Sequence, residues 1–401
     1  MRKMLTRCSL SLFLAAALAL TGALPAFSEN ISDAWTDQLF QSVRAVSGQV
    51  FIVRGGRPVY ARCYGWRDAR KTKPVTIDTK YAIASVTKMV SAVGLMRLYD
   101  QGWFGLDDAL GEVLPYPVIN TQYKDQKVTV RQLLSHTTGL KQGNTYKGNW
   151  AVLSATSSAY YFEPNTPPGT AYEYSNRNGG LIGSLMEAVS GLSINSYMAQ
   201  NLFAPLGIDA AYSAHLLQDQ SDISFRLNAD GTPMASDETL IKNGKNYDDT
   251  CSPAAHQGTT IGALVISAPD LAKIGAMLCQ LGEWQDETFL QPGTVELMEA
   301  DQESIAGSSV HVHGPYGLCL ERVQDSRGNT WYGHQGRAFG LSSNVFYQPE
   351  LDLTVVVVGN GYSAKKKDTL VTLFVDVMEK AVETDWDSMP ACAYRFPEDP
   401  A

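Results

Sequence analysis

The chain has 401 residues, enough for one large domain or two ordinary ones. With 44% hydrophobic and 18% charged residues, it has the composition of a globular protein with a sizeable core. The formal net charge of −9, with no Lys/Arg-rich stripe against it, argues against non-specific nucleic-acid binding.

Residues 1–28 read as an export signal. Arg2, Lys3 and Arg7 make a basic start, and Leu10–Leu20 is apolar except for Ser11 and too short to span a bilayer comfortably. Ala26-Phe27-Ser28 then offers small residues for cleavage after Ser28. The expected mature chain is secreted, acidic and without a stable membrane anchor. Cys8 precedes the apolar run and does not resemble a lipid-attachment site. Cys63, Cys251, Cys279, Cys319 and Cys392 remain, an odd number at irregular spacing that makes no disulfide framework; one or two bridges stay open.

Ser32 is an N-cap candidate for a helix over 32–46, where Trp35, Leu39, Phe40 and Val43 recur at helical spacing. Gln49–Val53 and Pro58–Tyr64 read as a hairpin closed at Gly55-Gly56. Tyr81–Ala84 is a short buried segment. Ser85 opens a helix carrying Val90, Val93, Leu95, Met96 and Leu98.

From 106 to 258 short apolar-periodic pieces alternate with Pro, Gly, Asn and Thr. Helices are expected at Val130–Leu134 after Thr129, at Leu181–Val189 and at Ile194–Leu202, followed by a loop-rich connection over 214–258. Ser267 caps a helix over 271–281. Three strands are expected at Tyr316–Val323, Gly340–Tyr347 and Leu351–Val358, the last apolar on both faces as a central strand would be. An amphipathic helix over 368–382 and a tail or surface wrap over 385–401 close the chain.

The predicted fold is therefore α/β in the α+β sense: an antiparallel sheet flanked by helices, with an inserted, mostly helical lobe. The N- and C-terminal parts (29–105 and 259–384) complete one sheet-containing lobe, and 106–258 form the insert. A ligand site is expected in the cleft between them.

Three clusters carry chemistry. In Ser85-Val-Thr-Lys88 the serine and lysine project from the same face of a helix start. An amine whose pKa is lowered by burial can take the hydroxyl proton, and the helix N-terminus offers N–H groups to an oxyanion. The ordinary alternative is a serine cap with a surface lysine. Tyr174-Ser-Asn176 lies on a Pro/Gly-rich loop entering a helix, where a phenol near a lysine can shuttle a proton and an amide can bridge lysine and substrate; the alternative is a plain helix-entry turn. Gly333-His-Gln-Gly336 with Arg337 precedes an apolar strand whose edge N–H groups suit an oxyanion hole; the alternative is a structural histidine. His311-Val-His313 lacks acidic or thiol partners at a suitable spacing, so no metal is expected. No Gly-x-Ser-x-Gly elbow or phosphate-binding glycine loop is present.

Together, in this order, Ser85-Val-Thr-Lys88, Tyr174-Ser-Asn176 and His334-Gln-Gly336 resemble the serine β-lactamases and penicillin-recognising DD-peptidases. The likeness is greatest to the class C β-lactamase and DD-carboxypeptidase/esterase branch. Leu133-Leu-Ser-His-Thr-Thr-Gly-Leu140, Pro168-Gly169 and Ser267-Ala-Pro-Asp-Leu271 extend the resemblance over roughly 31–382. It implies acyl transfer through a covalent ester, without a cofactor, on a peptide, amide or ester substrate that includes cell-wall-derived molecules. Ser85 would attack, Lys88 take its proton, Tyr174 relay it and Asn176 orient lysine and substrate. The N–H groups of Ser85 and Arg337 would hold the oxyanion, with His334, Gln335, Gly336 and Arg337 lining the substrate site. The family's β-lactamases usually carry Lys-Thr-Gly at the third motif. His334-Gln335 lacks that cation and hydroxyl, which points toward DD-carboxypeptidases, D-amino-acid peptidases and esterases. Arg337 is either a carboxylate partner or solvent-exposed, and a true class C-like β-lactamase and a non-catalytic sensor module that keeps the fold are the alternative readings.

Overall fold

The computed structural model describes residues 30–142, 161–256, 258–302, 316–367 and 370–397. The segment read as an export signal and His311-Val-His313 lie outside them.

Helix α1 (Asp33–Ser42) starts where Ser32 accepts a hydrogen bond from the Trp35 N–H. It leads into β1 (Ser47–Arg54) and β2 (Arg57–Gly65), joined at Gly55-Gly56, both with positive φ. Helix α2 (Val86–Asp100) follows; twelve of its fifteen residues are buried, so it is a core helix rather than an amphipathic one. Helix α3 (Asn176–Ser190) lies in the chain between the two halves of the sheet, and α4 (Ala268–Cys279) returns to the sheet behind the Ser267 cap. Strands β3 (Glu321–Gln324), β4 (Thr330–Ala338), β5 (Leu341–Gln348) and β6 (Leu353–Asn360) precede α5 (Thr372–Glu383).

The six strands form one antiparallel sheet in the order β2-β1-β6-β5-β4-β3. Its central seam joins the two ends of the chain, with Ser47 opposite Asn360 and Arg54 opposite Leu353. The apolar run Val355–Val358 is buried on both faces. Val356 and Val358, with Phe51 and Val53 of β1, pack in the core built by α2 and α4. Val355 and Val357, with Val50 and Ile52, face Phe40, Phe374 and Val377 of α1 and α5.

Two parts differ from the sequence reading, and a third was left open between a tail and a surface wrap. The third motif lies on a strand of its own, β4, rather than before one; its two glycines and central polar residues hide the alternation a strand normally shows. The connection over 214–258 contains a small hairpin, Arg226–Leu227 with Pro233–Ala235, and a helix, Asp237–Gly244. These half-exposed pieces carry too little apolar period to be read. The terminal segment wraps back: Tyr394 and Phe396 pack on Phe51 at 5.2 and 5.9 Å between ring centroids, and Phe396 is buried. The five cysteines from Cys63 to Cys392 are free thiols.

Candidate active site

Ser85 stands at the N-cap position of α2, but its side chain makes no capping bond. The residue before it, Ala84, is held at φ +49, a conformation a β-carbon disfavours. The Ser85 hydroxyl is thus kept out of the ordinary capping role. Lys88, one turn on, is fully buried. Its Nζ donates to Ser85 Oγ at 3.1 Å and to the Ile261 carbonyl at 2.9 Å. Burial without a carboxylate in contact lowers the amine to about 7, so a large fraction is unprotonated at neutral pH. The alkyl chain is accommodated by Gly179 of α3, where a β-carbon would meet Lys88 Cε at 2.5 Å.

Tyr174 comes from the loop entering α3. Lys88 Nζ lies 5.1 Å from its ring centroid. The loop is pinned to the Ser135–Thr138 turn: the Glu173 N–H donates to the His136 carbonyl at 2.9 Å and the Ser175 N–H to His136 Nδ1 at 3.2 Å. The His136 ring lies against Tyr174, with centroids 4.5 Å apart. An N–H can only donate, so His136 Nδ1 is an acceptor; Asn178 Nδ2 donates to it as well, at 3.1 Å, while the Asn178 oxygen accepts from Thr138 at 2.7 Å. Asn176 is half-buried at the first residue of α3. Its described hydrogen bond is the backbone N–H to Gln142 at 2.6 Å. Among the described residues the second partner of Lys88 is the Ile261 carbonyl rather than the Asn176 amide, because the lysine runs inward under Gly179.

Strand β4 forms the opposite wall. Its residues after Gly333 are beyond the pairing with β3. The Gln335 N–H points away from β5 and donates to Glu321 Oε1 at 3.1 Å. Because N–H directions alternate along a strand, the Arg337 N–H faces the same open side. Gly336 lies close to the Ser85 backbone: a β-carbon there would be 3.0 Å from the Ser85 nitrogen.

The expected substrate-contacting side chains of this strand are engaged elsewhere. His334 is buried. Its Nδ1 donates to the Gln335 carbonyl at 2.6 Å and its Nε2 lies 3.1 Å from the Tyr316 hydroxyl. Gln335 donates from Nε2 to Glu321 Oε2 at 2.8 Å. Arg337 is exposed and donates to the Ala364 carbonyl at 3.2 Å. His334 and Gln335 therefore build the wall behind the cleft. The His334 ring stands 6.2 Å from that of Tyr174.

The sequence reading assigned no role to His136 or Glu321. His136 lies in the quoted Ser-His-Thr-Thr-Gly stretch and has φ +57, uncommon for a non-glycine residue. Glu321 is an acid directly after the apolar run Tyr316-Gly-Leu-Cys-Leu. Burial raises its carboxyl to about 7 despite the two Gln335 bonds, and its charge and that of Lys88 each favour the other.

The β-lactamase family model matches residues 33–375. The chain is 26% identical over 358 residues to a monacolin J acid methylbutanoyltransferase of Aspergillus terreus, an alignment covering 76% of this chain and 84% of that one. Its fold is similar to that of an octameric penicillin-binding protein homologue from Pyrococcus abyssi (TM-score 0.69, 20% identity, 89% of this chain and 78% of the other). It is similar also to that of a class C β-lactamase (TM-score 0.67, 16% identity, 87% and 97%). With the family match spanning most of its length, and with an antiparallel sheet carrying helices on both faces, this chain belongs to the β-lactamase family.

Proposed function

We propose that the protein is a serine hydrolase or acyltransferase that works through an ester on Ser85. Neutral Lys88 removes the Ser85 proton as Oγ attacks a carbonyl. The Ser85 and Arg337 N–H groups hold the resulting oxyanion. Tyr174 passes the proton to the leaving group and then activates water or an acceptor alcohol or amine, with Asn176 lining the cleft. The observation that carries this reading is the 3.1 Å separation of Lys88 Nζ from Ser85 Oγ, with the amine lowered to about 7.

Esters and amides other than β-lactams are the expected donors, since His334 and Gln335 present neither a cation nor a hydroxyl to a β-lactam carboxylate. Transfer to an acceptor other than water is a second reading, favoured by the likeness to the methylbutanoyltransferase. Export by the first 28 residues would place the reaction outside the cytoplasm.

A fluorophosphonate probe followed by peptide mass spectrometry tests the nucleophile: labelling of Ser85 is expected, with none in Ser85→Ala. Folded protein that stays unlabelled, or labelling that survives the substitution, refutes the reading. Turnover of short-chain p-nitrophenyl esters, a D-Ala-D-Ala peptide and nitrocefin, measured side by side, then separates the esterase, peptidase and β-lactamase readings.

A further inference from the structure

A small cavity, about 60 Å³, opens beside the nucleophile, with Ala84, Gly262, Ala338, Phe339, Leu341 and Arg226 in its walls. Ala84 directly precedes Ser85, and Ala338 directly follows Arg337. Tyr174, the proposed proton donor to the leaving group, stands at the other end of this stretch of β4, near His334. A substrate carbonyl held between the Ser85 and Arg337 N–H groups thus has its leaving group toward Tyr174 and its acyl group toward the cavity.

Arg226, on the small hairpin of the insert, is half-buried, and its guanidinium has no hydrogen bond or ion pair among the described residues. Burial lowers its pKa, with no acidic neighbour opposing the effect. The other inward-turned arginines are engaged: Arg67 with Asp222 and Asp237, Arg131 with Asp107, and Arg97 with the Phe289 carbonyl. The Arg226 guanidinium lies 5.4 Å from the ring centroid of Phe339. Phe339 is 62% exposed and held at φ +58. An exposed aromatic residue in that conformation is strained by about 1 kcal/mol or more, and solvent exposure offers little packing to offset it. Both residues look arranged for something outside the chain. A flat guanidinium partly withdrawn from water is suited to a carboxylate, which it meets with two parallel hydrogen bonds.

We propose that Arg226, backed by Phe339, is a substrate-anchoring residue that selects acyl groups bearing a carboxylate. The proposal rests on the acyl-enzyme reading above. The preferred donors are monoesters or monoamides of dicarboxylic acids, or acyl groups with an acidic side chain.

Mono-p-nitrophenyl adipate and p-nitrophenyl hexanoate have acyl chains of equal length that differ in the terminal carboxylate. The wild-type protein is expected to favour the adipate ester in kcat/KM by about tenfold or more. Arg226→Ala removes the preference by raising KM for the adipate ester alone, and Arg226→Lys keeps part of it. Equal losses on both esters, or an unaltered preference, overturn the subsite. Calorimetric binding of free adipate and hexanoate to Ser85→Ala, with and without Arg226→Ala, reads the same anchor without chemistry. If wild-type Ser85 takes no acyl group from either ester while Ser85→Ala still binds adipate through Arg226, the acyl-enzyme reading falls and the subsite stands. Acylation of Ser85 with neither adipate binding nor ester preference would refute the subsite alone.

Discussion

Gly336 and Ser85 touch backbone to backbone. A β-carbon on Gly336 would lie 3.0 Å from the Ser85 nitrogen, 2.4 Å from the Ile83 carbonyl oxygen and 2.6 Å from Ser343 Oγ. Two of these are main-chain atoms, and Ser343 is itself fixed by its 2.6 Å bond to Ile83. Strand β4 and the start of α2 can approach this closely because position 336 has no side chain. Gly336→Ala is expected to push the strand from the nucleophile, slow acylation by about 10²-fold or more and cost roughly 1–3 kcal/mol of stability. Burst kinetics with a p-nitrophenyl ester and thermal melting check the two effects together. A variant that acylates at the wild-type rate would show that the contact does not set the oxyanion geometry.

Lys88 exchanges stability for reactivity. Its folded pKa of about 7 lies below the free value of 10.5. Between those values the unfolded chain binds the extra proton, so stability rises with pH across the interval and is lost as pH falls toward 7. Lys88→Met is expected to melt higher than the wild type at neutral pH and to lose this slope, while acylation falls by about 10²–10⁴-fold. In the wild type the acylation rate should climb as pH rises through about 7. A flat profile between pH 6 and 8 would remove Lys88 as the base.

The order of elements was readable because the sequence states it locally. Ser32, Thr129 and Ser267 mark helix starts by their side chains, Gly55-Gly56 marks the hairpin, and Val355–Val358 marks a strand covered on both faces. The residue types of the site were readable: Ser85, Lys88, Tyr174 and the glycine of the third motif lie beside one another. What could not be read depends on tertiary neighbours. Nothing local says that Ile261 will offer its carbonyl to Lys88, that the His136 ring will lie on Tyr174, or that Glu321 will hold Gln335 and so turn the third motif's side chains into the wall. Strand β4 was missed because glycines placed for close approach erase the alternation by which strands are recognised.

His136 is expected to act as a positioning residue for Tyr174. His136→Ala leaves the buried Ser175 N–H and the Asn178 amide without their acceptor, at about 1–3 kcal/mol for each group, and removes the ring that Tyr174 lies against. The expected result is a fall in kcat of about 10–100-fold with KM changed much less. His136→Asn, which tolerates the positive φ and supplies an acceptor oxygen, should recover stability and part of kcat. Equal kcat for wild type and His136→Ala would sink this role.

Glu321 ties the protonation of the wall to that of the base. Its folded pKa of about 7 lies above the usual 4.5, so between these values the native state holds the proton more tightly than the unfolded chain. Stability therefore falls as pH rises from 4.5 to 7, by an amount on the order of 3 kcal/mol. Glu321→Gln keeps an oxygen for the Gln335 N–H, and the Gln335 amide can turn half a revolution to accept from the new amide, so the fold should persist while that slope disappears. The Glu321 charge also raises the pKa of Lys88. Removing it lowers that pKa and should move the acid limb of the acylation profile to lower pH. Melting temperatures and pre-steady-state acylation rates over pH 4–9 measure both shifts on the same two proteins. A limb that stays in place while the stability slope vanishes would show that Glu321 shapes the wall without tuning the lysine.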